Sequence, residues 1–146
     1  MNQAAVIEYI TDTFNDVEVV ESSGDYFFFY DPEQQVQSDH RFPFITLVTS
    51  DNYDNVSNLN RSSVFRLNIG LSKDTFRSVF DTEDSSTDNN YDFTEFDKLM
   101  PHPVYGKMYW CCVLNPGETT TEKVKELLAE AYDMSVKKYV RRATAK

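Results

Sequence analysis

The sequence predicts an α+β fold in which a single antiparallel sheet of about five strands has the N- and C-terminal helices packed on one face. Apolar residues recur at helical spacing near both ends of the chain, which indicates two amphipathic terminal helices. Short segments between them have the composition and alternation of strands and are separated by turn residues. No repeat or linker divides the 146 residues, so we expect residues 1–146 to form a single domain.

Residues 1–14 are predicted to form the first helix, because their apolar residues have helical spacing and Asn2 is a suitable N-cap. Strands are then predicted over residues 17–21, 26–30, 42–49 and 64–71. The sequence Ser-Ser-Gly-Asp at 22–25 is typical of a tight hairpin turn between the first two strands. Because residues 26–30 are all aromatic, we expect that strand to be covered on both faces or to contact a partner.

The alternation is clearest in the strand at residues 64–71. One side carries only apolar residues, namely Phe65, Leu67, Ile69 and Leu71. The other side carries Arg66, Asn68 and Gly70. Arg66 and Asn68 therefore point away from the apolar set and are candidates for a binding surface.

The second half of the chain is predicted to contain two short helices, one more strand and the long C-terminal helix. Ser72 is expected to cap the first short helix, and residues 94–100 are predicted to form the second. A proline-rich bend then leads to the strand at residues 108–114. Thr119 and Glu122 have the spacing of a capping box at the start of the C-terminal helix.

Charge is distributed unevenly along the chain, whose net charge is −10. The last ten residues hold five Lys or Arg, which leaves nine basic against 24 acidic residues, a net charge of −15, in residues 1–136. Such an acidic body disfavours nucleic-acid binding, which needs a basic surface. No apolar run reaches the length of about 20 residues that spans a bilayer, and no export signal is recognisable. We therefore expect a cytoplasmic protein without a membrane partner.

The two cysteines, Cys111 and Cys112, are adjacent in a predicted strand and so point to opposite faces. A disulfide between them would strain the backbone, and free thiols are typical of a reducing compartment. The two histidines, His40 and His102, have no metal-ligand spacing with Cys or carboxylate residues. The acidic segment 81–92 lacks the glycine and the final glutamate of a calcium loop. No metal site and no cofactor is predicted.

Six residues form the predicted ligand-binding patch: Arg66, Asn68, His102, Tyr105, Lys107 and Trp110. If they meet across the sheet, they make an aromatic and weakly cationic surface on an acidic protein. Such a surface suits a small anionic or planar ligand, or a protein partner. The sequence contains no complete catalytic set, so the leading prediction is a non-catalytic binding module. The alternative for these residues is structural, with Trp110 in the core and Arg66 paired with a carboxylate.

The order of several motifs resembles the MmcQ/YjbR-like family of small bacterial domains. Asn68 in a strand, Lys107 before Trp110, and Tyr132-Asp in the last helix match the family's pattern in order. The strings at 66–72 and 100–106 look like a branch of short bacterial proteins within it. The resemblance implies the frataxin/CyaY-like fold. It also implies a DNA-binding surface of the kind proposed for some members.

Two further hypotheses follow from these residues. The first is nucleic-acid binding of the MmcQ/YjbR type, assisted by the basic residues Lys137, Lys138, Arg141 and Arg142. The second is a hydrolase in which His102, between Pro101 and Pro103, acts as the general base.

Overall fold

An antiparallel sheet of six strands lies at the centre of the computed structural model, which describes residues 1–34, 42–81 and 91–144. The strands are β1 (Val17–Ser22), β2 (Asp25–Tyr30), β3 (Ile45–Val48), β4 (Arg66–Gly70), β5 (Met100–Pro101) and β6 (Trp110–Leu114). Their order across the sheet is β1-β2-β3-β4-β6-β5, and all neighbouring pairs are antiparallel. The predicted α+β sheet is confirmed. The strand that the sequence did not predict is β5, which has only two residues.

Three helices complete the described part of the fold: α1 (Gln3–Thr13), α2 (Lys73–Phe80) and α3 (Thr121–Thr144). The side chain of Asn2 caps α1 by accepting the Ala5 N–H at 2.8 Å, as predicted. Ser72 Oγ likewise accepts the Thr75 N–H at the start of α2, at 3.1 Å. None of the helices in the described residues combines the length and apolar character that a membrane span requires.

The main hydrophobic core lies between the sheet and the helices. Alternate residues of β4 and β6, Leu67, Ile69, Cys111 and Val113, are buried against apolar side chains of α1 and α3. Val6 and Ile10 come from α1, and the apolar stripe of α3 supplies Val124, Leu127, Leu128 and Ala131. Both terminal helices therefore pack on the same face of the sheet, as predicted.

A second, smaller apolar cluster lies on the opposite face of the sheet, which we call the helix-free face. Its members are Val48, Leu59, Val64, Met100, Cys112 and Leu114. Leu59 and Val64 belong to the segment between β3 and β4, so this segment covers part of the helix-free face. The rest of that face is open to a groove.

The prediction of a helix at residues 94–100 is wrong. Asp97 has a φ of +55°, a left-handed conformation that does not continue an α-helix. Its backbone N–H donates to the carbonyl of Leu114 at 2.7 Å, which holds this segment beside β6.

The turn immediately before α3 is held by the side chain of Asp97. Its carboxylate accepts the N–H groups of Gly117, Thr119 and Thr120 and the hydroxyl of Thr120, at 2.6 to 3.0 Å. Burial opposes ionisation, but these hydrogen bonds outweigh it and hold the pKa of Asp97 well below its usual range. The predicted capping box is wrong: among the described residues no hydrogen bond joins Thr119 and Glu122, and the Thr119 N–H donates to Asp97 instead.

Two predicted features lie outside the described residues. His40 is one of them, and residues 82–90 of the acidic segment are the other.

Candidate functional site

A groove of about 820 Å³ lies on the helix-free face, beside the second apolar cluster. Its lining includes side chains of β2, β3, β4 and β6 and residues of α3. Residues of α3 line the groove although α3 packs on the other face of the sheet. The groove therefore continues past the ends of these strands, where Phe44 and Leu71 line it. Cavities of this size are typical of sites for small organic ligands.

The strand register brings one row of groove residues together. Phe27 of β2 pairs with Thr46 of β3, and Thr46 pairs with Asn68 of β4. All three point to the helix-free face, since their neighbours in sequence point into the main core. Phe29 lies on the same side of β2 two residues further on. The aromatic strand is thus covered by helices on one face and lines the groove with the other.

Arg66 lies beneath the groove with 2% of its surface exposed, and its guanidinium forms a two-point ion pair with Asp54. Nη1 donates to Oδ1 at 3.0 Å and Nη2 donates to Oδ2 at 2.7 Å. Nη1 also donates to Ser57 Oγ, and Nε donates to Asn68 Oδ1. Burial opposes ionisation of Asp54, but the hydrogen bonds and charge of Arg66 outweigh it, so the Asp54 pKa is lowered.

The hydrogen bonds continue from Arg66 to the open part of the groove. The amide nitrogen of Asn68 donates to the hydroxyl of Thr46 at 2.9 Å. Thr46 is half-buried and lines the groove. The network therefore fixes the orientation of Asn68 and offers the Thr46 hydroxyl to a ligand.

Trp110 forms a wall of the groove because it lies opposite a glycine. It pairs with Gly70 across β4 and β6. A Cβ at residue 70 would be 3.1 Å from Cε2 and Cζ2 of the indole. Since glycine has no Cβ, the flat ring lies close against the strand and remains half-buried.

His102 is buried, and its ring organises the bend before β6. Nδ1 accepts the backbone N–H groups of Val104 and Tyr105 at 3.0 and 2.9 Å. These two contacts mimic an Asx turn, in which a side-chain oxygen accepts the same pair of donors. Burial, followed by the positive charge of Arg66, lowers the pKa of His102 to about 3. The ring is therefore neutral at pH 7, with its hydrogen on Nε2.

The last two residues of the predicted patch have different positions. Tyr105 is 52% exposed and lines the groove, with its ring centroid 5.0 Å from that of His102. Lys107 lies exposed in a short 3-10 turn, Gly106–Met108, and does not line the groove. Five of the six predicted residues thus meet at one groove.

The family comparison assigns this chain to a defined group of proteins. Residues 1–144 match the family of unknown function DUF6194. The chain belongs to this family. No curated protein and no solved structure matches it. The DUF6194 assignment does not test the resemblance to MmcQ/YjbR-like proteins, which stays a prediction.

In this DUF6194 protein, the carboxylate of Asp54 and the ring of His102 line the groove and are occupied, and the thiol of Cys112 in the neighbouring apolar cluster is protonated. Asp54 is paired with Arg66, and the Nδ1 lone pair of His102 accepts two N–H groups. Burial raises the pKa of the Cys112 thiol to about 12, and its Sγ lies 3.7 Å from the carbonyl oxygen of Pro101. Among the described residues, no group of three or more His, Cys, Asp or Glu could hold a metal ion.

Sequence reasoning missed several groove residues in this DUF6194 chain. Asp54 lies in a polar segment with no periodic pattern, so nothing local indicates that it pairs with Arg66. Phe27 and Phe29 could have been placed on one face by the two-residue repeat of a strand. Lys138 and Arg142 line the groove although they are 28 or more residues from Trp110 in sequence.

Proposed function

We propose that this protein is a non-catalytic binding module whose groove holds a small planar ligand. The observation that carries the proposal is the groove itself, with aromatic walls and few polar groups. Known ligand sites have this composition, because apolar walls supply affinity and a few polar groups fix the orientation of the ligand.

A planar ligand fits the walls better than a compact polar one. The indole of Trp110 and the rings of Phe27 and Phe29 offer aromatic surfaces on which flat rings pack favourably. The Thr46 hydroxyl on the floor of the groove can direct a polar substituent. Asn68 beneath it is 2% exposed and is held by Arg66.

The state of the reactive groups supports a non-catalytic role. A general base needs a free lone pair and a pKa near the working pH. The Nδ1 lone pair of His102 already accepts two N–H groups, and the pKa of the ring is about 3. A nucleophilic thiol needs to ionise, whereas the pKa of Cys112 is raised by burial. These observations count against the hydrolase hypothesis.

The test is a thermal-shift screen with flat aromatic and heteroaromatic compounds, followed by titration of the hits. Trp110 is the only tryptophan, so its fluorescence reports directly on the groove. Phe27→Ala removes a wall and should weaken binding of the hits by about tenfold or more. Lys107→Ala, outside the groove, should leave their affinity unchanged.

Hits whose affinity is the same in Phe27→Ala as in the native protein would contradict the proposed site. A complete absence of hits, together with no change in Trp110 fluorescence on any titration, would contradict the proposed function.

A further inference from the structure

The charges that line the groove are opposite in sign to those of the whole protein. The chain has 24 acidic residues and a net charge of −10. Among the described residues, the lining contains one acid, Asp54, and three cations, Arg66, Lys138 and Arg142. The described part of the lining therefore carries a formal charge of +2 on an acidic molecule.

The cations differ in what they can offer to a ligand. Arg66 is buried and its charge is matched by the two-point ion pair with Asp54. Lys138 and Arg142 are exposed side chains of α3, and they lie one helical turn apart. The positive charge available to a ligand is thus concentrated at the α3 end of the groove.

One face of α3 leads from the apolar part of the groove to these cations. Ala131, Ser135, Lys138 and Arg142 follow one another at intervals of four, three and four residues and all line the groove. Ala131 is almost fully buried in the main core, whereas Ser135 is half-buried. Apolar side chains of Phe44, Leu71 and Met134 line the same region.

The neighbouring cations on α3 provide an internal comparison. Lys137 and Arg141 have the same charges and the same spacing as Lys138 and Arg142, but they do not line the groove. The negative end of the helix dipole favours basic residues near the C-terminus of α3, which explains why cations occur there. It does not explain why one pair of them borders an apolar groove.

We infer that the ligand is an amphipathic organic anion, an apolar and largely flat body with one carboxylate, sulfonate or phosphate group. The acidic group lies between Lys138 and Arg142, and the apolar body extends past Ser135 and Met134 toward Trp110. This inference rests on the proposed function and specifies the chemical class of its ligand.

Two probes that differ in one charge test the inference. They are 1-anilinonaphthalene-8-sulfonate and N-phenyl-1-naphthylamine, which share a ring system but differ in the sulfonate. We expect the full chain to bind the sulfonate at least about fivefold more tightly than the neutral probe, since two ion contacts near solvent contribute an effect of this order. The difference should shrink as salt is added.

Matched charge reversals then locate the anion. Lys138→Glu with Arg142→Glu should weaken binding of the sulfonate by at least about fivefold and leave the neutral probe unaffected. Lys137→Glu with Arg141→Glu changes the net charge equally and should leave both probes unaffected. Lys138→Gln with Arg142→Gln replaces the charge-reversed pair if the latter lowers the melting temperature.

The outcomes separate the two proposals. Equal binding of both probes, or equal weakening of the sulfonate by the two charge-reversed pairs, would overturn the anion site but not the groove. If Phe27→Ala leaves the binding of both probes unchanged, they bind elsewhere, and the groove proposal itself fails.

Discussion

Gly70 and Trp110 face each other across β4 and β6, and the indole occupies the space into which a side chain at residue 70 would project. A methyl group there would be 3.1 Å from the ring, closer than an ordinary van der Waals contact. The position of the groove wall therefore depends on the absence of a Cβ at residue 70.

Gly70→Ala should displace the indole by a few tenths of an ångström toward the groove and change the fluorescence emission of Trp110. Stability should change by less than about 1 kcal/mol, because the contact is with a side chain that can shift and because alanine reduces the entropy of the unfolded chain. A ligand that packs against the indole should bind more weakly. Emission spectra, denaturant unfolding and ligand titration measure the three effects.

Gly24→Ala is the contrasting variant. Gly24 has a φ of +86° in the turn between β1 and β2, so alanine should cost about 1 kcal/mol of stability or more. It should not alter Trp110 emission in the native state. The interpretation of Gly70 would be wrong if both variants gave the same emission change.

The Arg66–Asp54 pair should show strong energetic coupling. Arg66→Met leaves a carboxylate in a largely buried position without its partner, and we expect a loss of about 3–5 kcal/mol in the free energy of unfolding. Asp54→Asn should also destabilise, and the double variant should lose less than the sum of the two. A double-mutant cycle by urea denaturation measures this coupling.

Additive losses in that cycle would mean that the two residues do not stabilise each other. Lys98 and Glu95 form a suitable control cycle, because their ion pair is exposed and has a nitrogen–oxygen distance of 3.8 Å. Exposed pairs of this kind contribute about 0–1 kcal/mol.

Asp97→Ala should destabilise the protein by about 1–2 kcal/mol at neutral pH, since it leaves the N–H groups of Gly117, Thr119 and Thr120 without their acceptor. The native pKa of Asp97 is lowered, so its contribution is complete above the unfolded-state value of about 3.9 and is lost as the pH falls below it. The difference between native protein and variant should therefore narrow in acid. Denaturant melts at several pH values measure it.

Glu118→Ala is the charge-matched control for Asp97→Ala, because Glu118 is exposed in the same turn before α3. It should change stability only slightly. A similar loss in both variants would indicate a general charge effect rather than loss of the Asp97 hydrogen bonds.

His102 should make the protein less stable as the pH falls below about 6.5, the pKa of an ordinary histidine. Below that pH the ring is protonated in the unfolded chain, whereas in the native protein it stays neutral down to about pH 3. The free energy of unfolding should fall with a slope approaching 1.4 kcal/mol per pH unit at about pH 5. Urea denaturation between about pH 7 and about pH 4.5 measures the slope, because this range covers the ordinary pKa of histidine and stays above the native pKa of about 3.

His102→Asn is the matched variant for this pH dependence. The asparagine oxygen can accept the Val104 and Tyr105 N–H groups in place of Nδ1, but it does not titrate. The variant should fold and show a flatter profile. An unchanged slope would mean that His102 is not the source of the acid sensitivity.

The periodic parts of the fold could be predicted from the sequence because each residue's environment repeats along its own element. The alternation in β4 was sufficient to assign Leu67 and Ile69 to one face of the sheet and Arg66 and Asn68 to the other. The pairing of β4 with β6 places Trp110 beside Gly70. Five of the six patch residues therefore line one groove, and their ligand-binding role stays a prediction. Lys107 falls outside the groove because it lies in a 3-10 turn, where strand alternation does not apply.

Contacts between distant segments could not be predicted in this way. Asp54 and Asp97 lie in polar stretches that are typical of solvated loops, yet Asp54 neutralises a buried guanidinium and Asp97 holds the turn before α3, 20 to 23 residues later in the sequence. Their roles depend on where the sheet places Arg66 and Gly117. The role of His102 could not be predicted either. Asx turns are recognised in a sequence by Asn or Asp, whereas the acceptor here is a ring nitrogen of histidine.

The adjacent thiols of Cys111 and Cys112 lie on opposite sides of β6, one in each apolar cluster. Burial raises the pKa of both, so a thiol reagent should attack either one only after local opening exposes it. The alkylation rate of Cys111 then records how often the helical layer separates from the sheet. The alkylation rate of Cys112 records how often the segment between β3 and β4 separates from the helix-free face. Two single-cysteine variants would therefore give the free energy of opening on each side of the sheet separately.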